Sequence, residues 1–156
     1  MKFLFWKCYV GVALATIISA VHADEVFSYA VLKLPYASRS VTPWSAVINT
    51  QEEWQQLYES WQDDFTPPIQ APQIDFEQYQ LITGGLGEKY SGGYSVVVDR
   101  VDDLGNAIYI SVLEVSPGNG CVVTTGFTYP STAILIKKSN KPLKFYITKV
   151  MQECAF

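Results

Sequence analysis

Few residues in this chain are able to break bonds. One histidine, His22, and three cysteines, Cys8, Cys121 and Cys154, are found among its 156 residues. Lys2 and Lys7 precede an apolar run from Tyr9 to Ile18, and Val21-His22-Ala23 offers the compact residues that a signal peptidase accepts before Asp24. Residues 1–23 therefore read as a secretory signal peptide. Their apolar run is shorter than the roughly 20 residues of a membrane-spanning helix. Bulky and charged Phe5-Trp6-Lys7 ahead of Cys8 argues against lipid attachment there.

Cleavage before Asp24 removes the imidazole. Ser-His-Asp and Cys-His catalytic sets, histidine-bound zinc or copper and a histidine pH switch all need that ring. Carboxylate, Lys, Tyr, Ser and Cys chemistry remains. Asp75, Glu77 and Glu88 are scattered carboxylates that spacing alone does not pair for glycoside hydrolysis. Asp99, Asp102, Asp103 and Asn106 lack the twelve-residue loop with a terminal glutamate that marks a calcium site, so they read as turn residues. Gly84-Gly85-Leu86-Gly87 and Tyr90-Ser91-Gly92-Gly93-Tyr94 are glycine-rich, yet a strand pattern follows and no GK[ST] appears. Tight turns and a bulge are expected there, with no cofactor and no metal. The expectation is a protein that is not an enzyme.

The exported chain loses two of its 11 basic residues and none of its 15 acidic ones, which moves the net charge from −4 to −6. An acidic surface without a basic stretch argues against nucleic acid and anionic lipid as partners. Lys137, Lys138, Lys141 and Lys144 read as guards on an edge strand and its turn. Export also favours pairing of Cys121 with Cys154, since that compartment is oxidising. Closing a loop of roughly 34 residues, the bond contributes about 3–4 kcal/mol on a chain-entropy account. Without it, both sulfurs would serve as small buried apolar groups.

About half the residues are apolar and only 17% are charged, so residues 24–156 are expected to bury one core as a single domain. Val26 to Leu34, ended by Pro35, and Ala46 to Ile48 read as strands. Thr50-Gln51-Glu52-Glu53 is a capping box, and Trp54, Leu57, Tyr58 and Trp61 follow at helical spacing as a core-facing stripe. Gln55, Gln56, Glu59 and Gln62 cover the opposite side. Three prolines between Asp63 and Pro72 predict an extended loop. Strands then follow at 79–83, 94–101, 108–115, 121–127, 133–137 and 143–150, the last alternating Leu143, Phe145 and Ile147 against Lys144, Tyr146 and Thr148 as one dry and one wet face. The fold class is α+β, with one N-terminal amphipathic helix packed on a curved, mainly antiparallel β-sheet or partly open barrel.

Trp54 and Leu57 on the helix, Pro72 with Asp75-Phe76, Gly92-Gly93-Tyr94-Ser95-Val96 opening a strand, Pro117-Gly118 before Cys121, and Val123-Thr124-Thr125 with Tyr129-Pro130 occur in a telling order. Between about residues 47 and 145 the chain resembles the C-terminal domain of the PrcB family of protease-complex subunits. The resemblance implies a secreted or cell-envelope accessory domain that binds and stabilises a partner protein, a protease being the example, and it brings no catalytic residues. Tyr90, Gly92, Gly93, Tyr94, Pro117 and Asn119 are the candidate protein-binding residues, because glycine-rich loops with aromatic shoulders present contact surface. A small-ligand or glycan binder using Trp44, Trp54, Trp61 and the tyrosines, and a histidine-free hydrolase, are the alternatives.

Overall fold

A computed structural model describes residues 25–34, 38–62 and 69–154. The leader with His22, Pro35 and the 63–68 part of the proline-rich loop lie outside the described residues. Two four-stranded sheets and a two-stranded ribbon carry the architecture, with one short helix and no closed barrel among the described residues.

The predicted strand from Val26 to Leu34 is two strands. β1 (Glu25–Val26) pairs with β6 (Ser95–Asp103), whereas β2 (Tyr29–Val31) pairs with β9 (Ser131–Lys137). The chain changes sheets at Phe27-Ser28, and Phe27 N–H still donates to Val101 O at 2.8 Å. The first sheet runs β1-β6-β7-β10, where β7 is Ile108–Pro117 and β10 is Leu143–Gln152. The second runs β2-β9-β4-β3, where β3 is Trp44–Ile48 and β4 is Tyr79–Gly85. The ribbon joins β5 (Lys89–Ser91) to β8 (Thr125–Thr128).

Close strand spacing predicts antiparallel pairing, and six of the seven strand pairs obey it. β7 and β10 run parallel, in register from Ile108 with Leu143 to Pro117 with Gln152. The intervening segment supplies β8 and β9, so the chain returns to β7 from the same end. β8 is also shorter than expected: residues 121–124 form no strand, and they fold back so that Gly92 N–H reaches Thr124 O at 2.9 Å.

Strict alternation explains how the second sheet is buried on both sides. Leu81 and Ala133 share a core cluster with Ile48, Trp54, Tyr58 and Trp61. Their neighbours Ile82, Ile134 and Ile136 share the other cluster with Val98, Val101, Ile108 and Ile110. β4 therefore reads as an unbroken buried run from Gln80 to Thr83.

α1 (Gln51–Glu59) starts as its capping box dictates. Thr50 Oγ1 accepts the Glu53 N–H at 3.2 Å, and the Glu53 carboxylate accepts the Asn49 N–H at 2.9 Å. The glutamine face does more than meet water. Gln55 Oε1 accepts the Ala71 N–H at 2.8 Å, Gln51 Oε1 accepts the Ile74 N–H at 3.1 Å, and Gln62 both donates to Ile69 O and accepts its N–H. The segment 69–74 belongs to no sheet, so side-chain amides take the place of a ladder for its backbone groups.

Of the lysines expected to guard an edge, Lys144 lies on β10, which is the edge, whereas Lys137 ends β9, which is central, and Lys138 follows it. Lys138 Nζ donates to Phe76 O at 2.8 Å. Lys141 Nζ meets both carboxylate oxygens of Asp103, at 2.7 and 2.6 Å, at the β6–β7 turn. That ammonium, with the Gly105 N–H at 2.9 Å, holds the Asp103 carboxyl below its ordinary value of 3.8. Unfolded Asp103 takes up its proton near 3.8 and folded Asp103 does so only lower, so its stabilising share is complete above that value and is lost as pH falls through the folded one. Urea midpoints measured between about pH 5 and pH 2 are expected to fall less steeply in Lys141→Met than in the parent. Equal slopes would show that the pair does not persist in solution.

Candidate functional site

The two sheets diverge where β3 and β10 form their outer edges. Between them lies an apolar groove of about 300 Å³. Val96, Val112, Phe145 and Ile147 line it from the first sheet, and Trp44, Gly84 and Gly85 from the second, with Leu86 just beyond β4. Glu114 is the carboxylate on the lining.

Glycine decides where Trp44 lies. A Cβ on Gly85 would sit 2.7 Å from Trp44 Nε1 and 3.0 Å from Pro130 O, so only a residue without a side chain lets the indole rest there. Trp44 also meets Trp61 with ring centroids 5.4 Å apart. One wall of the groove is thereby anchored to the helix-side cluster. The turn after β4 is equally constrained: Gly87 has φ +71°, and a Cβ would come within 2.6 Å of Val41 O. Glu88 N–H donates to Val41 O at 3.1 Å, and Tyr129 donates its hydroxyl to Glu88 Oε2 at 2.8 Å. That bond raises the Tyr129 pKa above its ordinary value, keeping the phenol protonated.

The opposite wall departs from expectation. Phe145 and Ile147 sit on the face predicted to be dry, in register with Ile110 and Val112, yet they are 44% and 59% exposed. Leu143 alone of the three packs against the inter-sheet cluster. The second sheet ends at β3, and no element of the described chain covers the outer half of β10.

A smaller cavity of about 120 Å³ continues the groove past Leu86 and Glu114 to Tyr94, Lys89 and Lys149. Lys89 Nζ lies 5.7 Å from the centre of the Tyr94 ring. Of the residues singled out from sequence, Tyr94 thus borders this cavity. Gly93, at φ +85°, packs where a Cβ would strike Val123 and Pro117, and Gly92 packs against Thr124. These glycines fasten the loop before β6 to the residues after β7. Asn119 is exposed in the turn after β7. Tyr90 stands on the ribbon, 80% exposed, with the Phe127 ring 5.5 Å away.

Groove residues Val96, Val112, Phe145 and Ile147 escaped sequence reasoning, because alternation tells which face of a strand is apolar and not whether another layer covers it. Cys121 and Cys154 are joined as a disulfide with Cα atoms 5.1 Å apart, which ties the end of β10 to the turn after β7. Such a bond is what an oxidising compartment preserves. Asp102 pairs with Arg100 at 2.7 Å, and Asp75 Oδ1 accepts the N–H groups of Glu77 and Gln78 as a turn former. Among the described residues, no three His, Cys, Asp or Glu side chains gather as metal ligands, and no helix is long and apolar enough to cross a membrane.

The molecule is a β-rich α+β domain, tied by a disulfide and opened on one side by an apolar groove. Residues 81–137, from within β4 to the end of β9, match the family described as PrcB C-terminal. No curated protein and no solved structure matches the chain. The family segment holds the groove floor at Leu86, Val96 and Val112, whereas the lips at Trp44, Phe145 and Ile147 lie outside it.

Proposed function

We propose that this chain is a noncatalytic, exported accessory protein whose groove between β3 and β10 takes an apolar segment of a partner protein, a protease being the example that the resemblance to protease-complex subunits implies. The observation that carries this reading is the exposure of Phe145 and Ile147 on an inward-facing strand surface. Apolar side chains aimed at a groove and left half in water gain free energy when another chain covers them, at roughly 25 cal/mol per Å². Glu114, Lys89 and Lys149 at one end supply the few polar groups that orient an occupant.

The glycan reading loses two of its three tryptophans, since Trp54 and Trp61 are core residues. Of the carboxylates weighed for hydrolysis, Glu88 accepts from the Tyr129 hydroxyl and Asp75 holds its own turn. These engagements support a binding role.

Cross-linking and co-purification from exporting cells test the proposal. A defined partner should be recovered with the parent protein and reduced at least about tenfold with Trp44→Ala, which removes one groove wall, while the melting curve stays cooperative. Recovery unchanged by Trp44→Ala and by Val112→Gln would remove the groove from the binding site.

A further inference from the structure

We propose that the outer edge of β10 is the contact between two copies of this chain, joined antiparallel about a two-fold axis at Thr148. Which backbone groups face outward follows from the bonds at the two ends of the β7–β10 pair. Ile108 N–H donates to Pro142 O at 3.0 Å, and Gly118 N–H donates to Gln152 O at 3.0 Å. In a parallel pair, alternate residues of a strand turn both N–H and C=O to the same neighbour. Even-numbered residues of β10 therefore serve β7, and Phe145, Ile147, Lys149 and Met151 turn theirs to the free edge. β10 ends its sheet and is ten residues long, with exposed Phe145, Tyr146, Ile147, Val150 and Met151. A long apolar edge of this kind templates pairing with another chain.

The sequence of β10 is self-complementary in one register. Centring the axis on Thr148 sets Phe145 opposite Met151 of the second copy and Tyr146 opposite its Val150, each twice by symmetry. Cross-strand aromatic and apolar pairs of this type stabilise antiparallel ladders. Lys144 then faces Gln152, and Lys149 faces Ile147, so no like charges oppose. A centre at Lys149 would set ammonium against ammonium. Both lysines are also compensated within their own copy: Lys149 stands beside Glu114 in the parallel register, and Lys144 Nζ lies 5.3 Å over the Tyr109 ring. The axis stands perpendicular to the sheet, so the inner faces of both β10 strands stay on one side and the two apolar grooves meet beneath them. This contact uses the edge of β10 and stands whether or not the groove takes a partner segment.

Sedimentation velocity of the purified protein across a concentration series should show a monomer–dimer equilibrium. Thr148 is a non-hydrogen-bonded position in this register, where facing Cα atoms lie about 4.5 Å apart, within disulfide range. Thr148→Cys should form a covalent dimer under mild oxidation, and Val47→Cys on β3 should not. Ile147→Lys sets like charges in two symmetric pairs and should weaken the dimer about tenfold, whereas Ile147→Glu sets opposite charges and should keep it. A monomer at every concentration overturns the proposal. So does a dimer that is indifferent to Ile147→Lys and leaves Thr148→Cys unlinked.

Discussion

Replacing Trp54 by alanine should cost about 3–5 kcal/mol, the largest loss expected from any single side chain in the molecule. The indole is fully buried, and its Nε1–H donates to Pro72 O at 3.0 Å. Around it stand Tyr58 and Trp61, with ring centroids at 5.2 and 5.6 Å. Truncation therefore leaves a void lined by the Tyr58 and Trp61 rings, together with a carbonyl deprived of its donor. Thermal melts should drop by about 10 °C or more. Trp44→Ala should cost much less, since Trp44 is only half buried. A loss under about 1 kcal/mol for Trp54→Ala would mean that the helix-side cluster collapses freely and is not the main core.

Opening the disulfide ranks second. Cys121 and Cys154 are 33 positions apart, and releasing so long a loop in the unfolded chain should lower stability by about 3–4 kcal/mol. Cys154→Ser and Cys121→Ser should lose the same amount, the double variant no more than either, and the reduced parent should match all three. Intact mass of the parent should rise by about two daltons on reduction. If the double variant is clearly worse than each single one, the sulfurs contribute as packed atoms and not as a bond. Partner recovery should survive in Cys154→Ser at a temperature where it is folded, because Cys154 lies outside the groove lining.

Local chemistry was legible where one segment decides its own structure. Thr50 and Glu53 announced the start of α1, and Trp54, Tyr58 and Trp61 at helical spacing announced its buried stripe, which residues on Ile48, Leu81 and Ala133 complete. The β6–β7 hairpin followed from Asp102 to Asn106. Three features depended on distant partners and left no local trace. Phe27-Ser28 breaks an apolar run between two sheets without a proline or glycine to mark the place. β7 and β10 pair in parallel because β9 first fills the second sheet, a matter of connectivity and not of composition. The groove exists because the second sheet stops at β3, so that Phe145 and Ile147 keep an apolar pattern with nothing opposite. Gly92 and Gly93 were noticed as loop formers that frame a binding surface; their closest neighbours are Thr124, Val123 and Pro117, which makes them fasteners of that loop.

The parallel β7–β10 pair also sets the order of events in time. No hairpin can zip it, because every rung joins residues far apart along the chain, and contacts of that kind slow folding. β7 must wait with one flank bare until β8 and β9 have passed and β10 arrives. In the folded chain Cys121 and Cys154 lie at the far end of that pair, so their bond latches the strands where the last rung closes.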